Sequence, residues 1–128
     1  MADSTVKAHY TASPEDAWRL VGDFAGIAGV FTAIEDVTIQ GDDRTFTMLG
    51  MRITERLVRR DEASRTLTYS IIDGVPIESH EATIRVDAAE GGCDIVWSVT
   101  TVPEDAEPLF TDTYQRALDS LHGTFDTP

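Results

Sequence analysis

Apolar and polar residues change their period twice along this chain. Residues Thr5 to Thr11 alternate, with Val6, Ala8 and Tyr10 on one face, which predicts a first strand. A helix is predicted next. Ser13 can accept a hydrogen bond from a first-turn amide, Pro14 suits the first helical position, and Glu15 and Asp16 favour the positive end of the dipole. Ala17, Trp18, Leu20 and Val21 then supply its apolar face. Past Gly22, Ile27, Val30 and Phe31 are spaced for a second short helix within Phe24 to Phe31. From Ile34 the period becomes two, with turn residues about every eight to twelve positions, which marks an antiparallel meander. Six strands are read there: Ile34–Gln40, Arg44–Leu49, Met51–Arg60, Thr66–Ile72, Ser79–Val86 and Ile95–Val102. The closing segment, from Asp105 or Pro108, spaces Phe110, Tyr114, Ala117, Leu118, Leu121 and Phe125 by threes and fours. Asp112, Gln115, Arg116 and Asp119 face outward, so this is a long amphipathic helix.

This order is α+β, with helices on one side of a curved seven-stranded antiparallel sheet and two short helices after the first strand. A long helix laid across a concave sheet touches it along one line and leaves space at one end. Pockets of that kind are apolar with a few placed polar groups. Strand parity names the residues that face it. Met51, Ile53, Glu55 and Leu57 must point inward, because the alternate set carries Arg52 and Arg56. By the same argument Arg44, Phe46 and Met48, then Leu67, Tyr69 and Ile71, then His80, Ala82, Ile84 and Val86, then Ile95, Trp97 and Val99 face inward. The expected wall is Phe31, Phe46, Met48, Met51, Ile53, Tyr69, Ile71, Trp97 and Val99, closed by Phe110, Tyr114, Ala117 and Leu118 of the last helix.

Three ionisable groups interrupt that wall: Arg44, Glu55 and His80. An inward carboxylate loses hydration worth several kcal/mol unless it is paired or neutralised, so Glu55 needs a partner. Arg44, near the start of the neighbouring strand, offers planar bidentate donors. The pair either completes the core or anchors a ligand's polar end, or transfers a proton. His80 is a core histidine or an acid–base group. Tyr69 and Tyr114 can donate hydroxyls, while His9 and His122 stand isolated and receive no role.

Composition narrows the function classes. At 128 residues the chain suits one domain, 1–128, able to bury roughly two thirds of its unfolded surface. Ten basic and 23 acidic residues give a charge of −13, which repels nucleic acid and anionic lipid. No apolar run approaches the ~20 residues of a membrane span, and the start of the chain lacks the order of a secretion signal, so a cytoplasmic protein is expected. The single cysteine, Cys93, is read as structural. No Walker loop, dinucleotide glycine pattern, Ser-His-Asp order or metal-ligand cluster is present, so neither cofactor nor metal is expected.

Several motifs, in order, carry a resemblance over nearly the whole chain. They are Ser13-Pro14-Glu15-Asp16-Ala17-Trp18, Thr54-Glu55-Arg56-Leu57 followed by Asp61, Tyr69 to Pro76, and Gly91-Gly92-Cys93 leading into Val96-Trp97-Ser98. Together they resemble the START/Bet v 1-like superfamily (SRPBCC) of helix-grip proteins, in particular its bacterial polyketide cyclase/dehydrase-type members. The middle stretch is also similar to the abscisic acid receptors and the lachrymatory-factor synthase of plants. That resemblance implies a pocket glutamate at Glu55, a corresponding pocket arginine at Arg44, and His80 where those relatives usually carry a tyrosine. The receptors' gate segment is missing between Arg44 and Glu55, and their latch reads Pro76-Ile77-Glu78 here, so hormone signalling is not implied. Two functions follow as expectations. One is binding of a lipid, isoprenoid or polyketide-like molecule. The other is a cofactor-independent cyclase, dehydratase or isomerase, a lyase or isomerase in class, with Glu55, Arg44 and His80 moving protons. A homodimer or partner module, using the short helix and the loops at Gly50 and Asp73–Ile77, is the third reading.

Overall fold

The computed structural model describes residues 4–26, 31 and 34–126. Its strands are β1 (Ser4–Tyr10), β2 (Glu35–Gln40), β3 (Asp43–Met48), β4 (Met51–Asp61), β5 (Thr66–Asp73), β6 (Ser79–Ala89) and β7 (Gly92–Val102). Between β1 and β2 lies α1 (Pro14–Val21). After β7 come a 3₁₀ turn (Glu104–Ala106), α2 (Glu107–Ser120) and the short α3 (His122–Phe125). The strands form one seven-stranded sheet in the order β1-β7-β6-β5-β4-β3-β2, antiparallel throughout. Register shifts at Glu35/Thr38, Thr54/Glu55 and Leu57/Arg59 each bend the strand that carries them, which gives the sheet its curl.

The expected strand parity holds through the middle of the sheet. In β7 every second residue from Cys93 to Thr101 is buried, and in β6 His80, Ala82, Ile84 and Val86 are buried while Glu81 and Arg85 are exposed. Helix α2 lies on β1 and β7, and α1 on β6 and β7, each turning its apolar stripe to that inner face. The Tyr10 hydroxyl donates to the Leu118 carbonyl and so ties β1 to α2 from inside the core. Ser13 caps α1 as read, accepting the Asp16 N–H at 3.1 Å.

Four expectations need correction. Leu20, assigned to the apolar face of α1, is 39% exposed. At 100° per residue it stands well outside the arc set by Ala17, Trp18 and Val21. Met51, expected inside, is 37% exposed, because Met48↔Met51 closes the β3–β4 hairpin and its tip projects beyond the core. The turn is Leu49-Gly50, not Gly50 alone, with both residues at positive φ (53° and 77°), the pattern of a two-residue hairpin loop. The last helix is interrupted at Leu121, which caps α2, and Phe125 packs from the separate turn α3. Of the two short helices expected after β1, α1 is present; the second falls on Ile27 and Val30, which lie outside the described residues.

Candidate ligand-binding site

The inner face holds two apolar clusters. The larger joins α1, α2 and strands β1 and β5–β7; the smaller contains Ile34, Phe46 and Ile53. Phe31, Ile71 and Val75 pack against both, so the clusters meet beside them.

Arg44 and Glu55 are direct cross-strand partners on β3 and β4, as hairpin parity required. They are 3% and 6% exposed. Arg44 Nε donates to Glu55 Oε1 at 2.8 Å and its Nη2 lies 2.7 Å from the same oxygen. Its Nη1 donates to the Phe24 carbonyl at 2.9 Å, and the guanidinium carbon sits 3.9 Å from the Phe24 ring centroid and 5.0 Å from that of Tyr69. Each guanidinium nitrogen thus has a partner, and both rings lie within cation–π range. Burial pushes the Glu55 carboxyl above its ordinary pKa, while the Arg44 charge opposes that shift. The register shift at Thr54/Glu55 makes Ile72 the extra residue of β5 and leaves Glu55 opposite Ile71.

A second polar group lies deeper. Trp97 Nε1 donates to the Tyr69 hydroxyl at 3.1 Å, which donates to the Tyr114 hydroxyl at 3.4 Å. His80 Nε2 lies 3.0 Å from the same Tyr114 oxygen, and His80 Nδ1 accepts the backbone N–H of Ile71 at 3.0 Å. A nitrogen that accepts an N–H carries no proton, so neutral His80 is the Nε2–H tautomer and donates to Tyr114. Burial lowers the His80 pKa to about 4, which keeps the ring neutral at pH 7. Burial likewise raises both tyrosine pKa values, so both hydroxyls stay protonated. Trp97 stacks on Tyr114, with centroids 4.0 Å apart and planes 3° from parallel, and His80 packs on Phe110 at 4.8 Å.

Counting protons shows what this chain offers. Four N–H or O–H groups enter it, from Trp97, Tyr69, Tyr114 and His80, and three contacts join them. One tyrosine hydroxyl hydrogen therefore has no acceptor within the chain, among the described residues. Such a donor in an apolar interior favours a ligand oxygen.

Of the sequence-predicted wall, Phe46, Ile53, Tyr69, Trp97, Val99, Phe110, Tyr114 and Leu118 are buried. Phe31, Met48, Ile71 and Ala117 are half-buried, and Met51 is not part of the packed interior. The structure brings Arg44 to Glu55, and His80 to Tyr69 and Tyr114, as two neighbouring groups. His9 and His122 are exposed and not isolated, lying 2.8 Å from Asp94 and 2.6 Å from Asp126. Sequence reasoning missed Glu107, a buried carboxylate that accepts the Thr101 N–H at 3.0 Å and the Ser4 hydroxyl at 2.7 Å, knitting β1, β7 and α2 together. An acid at the start of the amphipathic helix was its only signal. It also missed the Ile71 amide, since backbone groups leave no mark in side-chain patterns. Two clefts are outlined by the described residues, one by Trp18, Arg60, Arg65 and neighbours (about 480 Å³) and one by the 70–80 segment (about 360 Å³). Neither is an enclosed apolar chamber. No group of three or more metal-ligating side chains occurs among the described residues, and no described helix is long and apolar enough to cross a membrane.

The sequence matches the family described as polyketide cyclase/dehydrase and lipid transport over residues 1–125. The chain belongs to that family. Among solved structures it is similar to the protein XoxI from Bacillus cereus, at 28% identity and TM-score 0.88, with 98% of this chain and 96% of that one covered. Two more distant likenesses show the fold alone. Ara h 8.0201 aligns at 18% identity and TM-score 0.76 over 96% of each chain. The di-domain ARO/CYC BexL from the BE-7585A biosynthetic pathway aligns at 15% and 0.75, over 96% of this chain and 46% of that one. No curated protein matches the sequence. The family and the Bet v 1-like neighbours agree with the resemblance read from the motifs, and with the helix-grip fold it implied.

Proposed function

We propose that this family member binds an apolar small molecule, a lipid, isoprenoid or polyketide-like compound, between the sheet and α2, and holds it by an oxygen atom. The observation that carries this reading is the unspent hydroxyl hydrogen of the Tyr69–Tyr114 pair amid buried Trp97, Phe110 and Val99. Apolar burial, at ~25 cal/mol per Å², would supply the affinity, and the hydroxyl the orientation. The Arg44–Glu55 pair is buried and braced by the Phe24 carbonyl and ring, which supports a role in shaping the site more than in exchanging protons.

The test is displacement of 8-anilinonaphthalene-1-sulfonate by fatty acids, isoprenoid alcohols and aromatic polyketides. Replacing Tyr114 with Phe weakens oxygen-bearing ligands by about fivefold, one net hydrogen bond, and leaves their hydrocarbon analogues unchanged. Equal loss for both kinds of ligand, or no displacement by any, sinks the reading.

A second reading is a cofactor-independent cyclase, dehydratase or isomerase. What favours it is the elevated Glu55 carboxyl and a neutral imidazole backing the Tyr114 hydroxyl, a set that can protonate an enolate oxygen. Turnover that disappears in Glu55→Gln or His80→Phe, with binding retained, would favour it over simple binding.

A further inference from the structure

β5 and β6 part in the middle of the sheet. They pair from Thr66↔Arg85 to Tyr69↔Ala82 and no further. Yet β5 stays on β4 as far as Thr54↔Asp73, and β6 stays on β7 as far as Ser79↔Val102. A backbone amide facing such a gap must find another partner or stay wet. The Ile71 N–H finds His80 Nδ1, so a side chain replaces the missing rung of the ladder. The imidazole, 3% exposed, thereby lines a cleft of about 360 Å³ between the two strands. That volume lies in the range of small-ligand sites.

The cleft has a definite chemistry. Ile72, Val75 and Ile77 give it apolar sides, and Ile72, the extra residue of the β5 bulge, is 45% exposed there. Asp73 and Glu78 add two carboxylates, neither in an ion pair among the described residues, and no lysine or arginine lines it. The field of a chain with charge −13 reinforces the same sign. We infer that the cleft between β5 and β6 is a second binding site, for a small apolar molecule that carries an ammonium group. The hydrocarbon part rests on the isoleucines and valine over the imidazole, and the ammonium turns to Asp73 and Glu78. The cleft shares His80 with the interior hydroxyl network, but its two carboxylates, Asp73 and Glu78, are exposed and lie outside that network.

The experiment is an NMR titration of the full chain with 2-phenylethylammonium, with 2-phenylethanol and phenylacetate as neutral and anionic probes of equal size. The cation is expected to give saturable shifts at the Ile71 amide and the His80 ring. Asp73→Asn and Glu78→Gln should each weaken it by about threefold to fivefold, the range of an exposed ion pair. Raising salt should weaken it further, and Glu81→Gln, an exposed acid of β6 outside the cleft, should change nothing. Asp73 and Glu78 are themselves exposed, so these variants keep the fold, and an unchanged melting temperature checks it. The inference is overturned if the alcohol binds as tightly as the cation, if the shifts fall elsewhere or fail to saturate, or if both carboxylate variants bind like wild type.

Discussion

Lowering the pH should unlock the sheet at His80, and the size of the effect can be worked out. The ring titrates near 6.5 in an unfolded chain and at about 4 in the fold. A group whose folded pKa is depressed stays neutral in the native state while the unfolded state takes up the proton. Stability therefore falls as pH drops from 6.5 toward 4 and is fully retained above 6.5. Between pH 7.5 and 4.5 those two values give a loss of about 2.5 kcal/mol from this one residue. The geometry gives the same sign. A protonated ring has two donors, and its Nδ1–H would face the Ile71 N–H that it now accepts. Urea unfolding of wild type and His80→Gln at pH 7.5, 6.5, 5.5 and 4.5, followed by tryptophan fluorescence, isolates the term. The 23 acidic residues titrate in both proteins, so the difference between the curves belongs to the histidine. The gap between them should shrink or invert by about 2.5 kcal/mol toward pH 4.5. Parallel loss of stability across that window, or an NMR titration placing the ring near 6.5, would falsify the reasoning.

Other predictions follow from the same structure. Arg44→Met or Glu55→Leu alone should cost about 3–5 kcal/mol, by leaving one charge buried and unpaired, whereas the double variant should come back close to wild type; additive losses in denaturant melts would contradict this. Leu49→Asn should raise the melting temperature by a few degrees, about 1 kcal/mol, because Leu49 holds φ 53° at an exposed turn position where asparagine is at ease; no gain would mean the turn is not strained. Gly74→Ala should destabilise more than Gly91→Ala, although both have positive φ. The added Cβ would overlap the Arg52 carbonyl oxygen in the first case and meets nothing within 4 Å in the second. Equal losses in thermal melts would remove the clash argument.

Strand parity was legible from the sequence because a period of two with one buried face admits one orientation. Arg52 and Arg56 fixed the face of β4, and Arg44 and Glu55 then had to meet across a hairpin. The first helix announced itself through Ser13 and Pro14, whose chemistry is local. The exposure of Met51 and Leu20 was not legible, since parity and periodicity give direction but not where the core ends. The role of His80 was not legible either. Residue type said acid, base or core; the partners that decide between them, the Ile71 amide and the Tyr114 hydroxyl, lie nine and 34 residues away. A one-dimensional pattern thus determined the strands with their faces, the first helix and one ion pair, because those depend on neighbours at fixed spacing. Only the tertiary structure decided that β5 and β6 separate, that an imidazole fills the gap, and that a tyrosine hydrogen is left over inside. Those outcomes depend on how far two strands stay together before curvature pulls them apart.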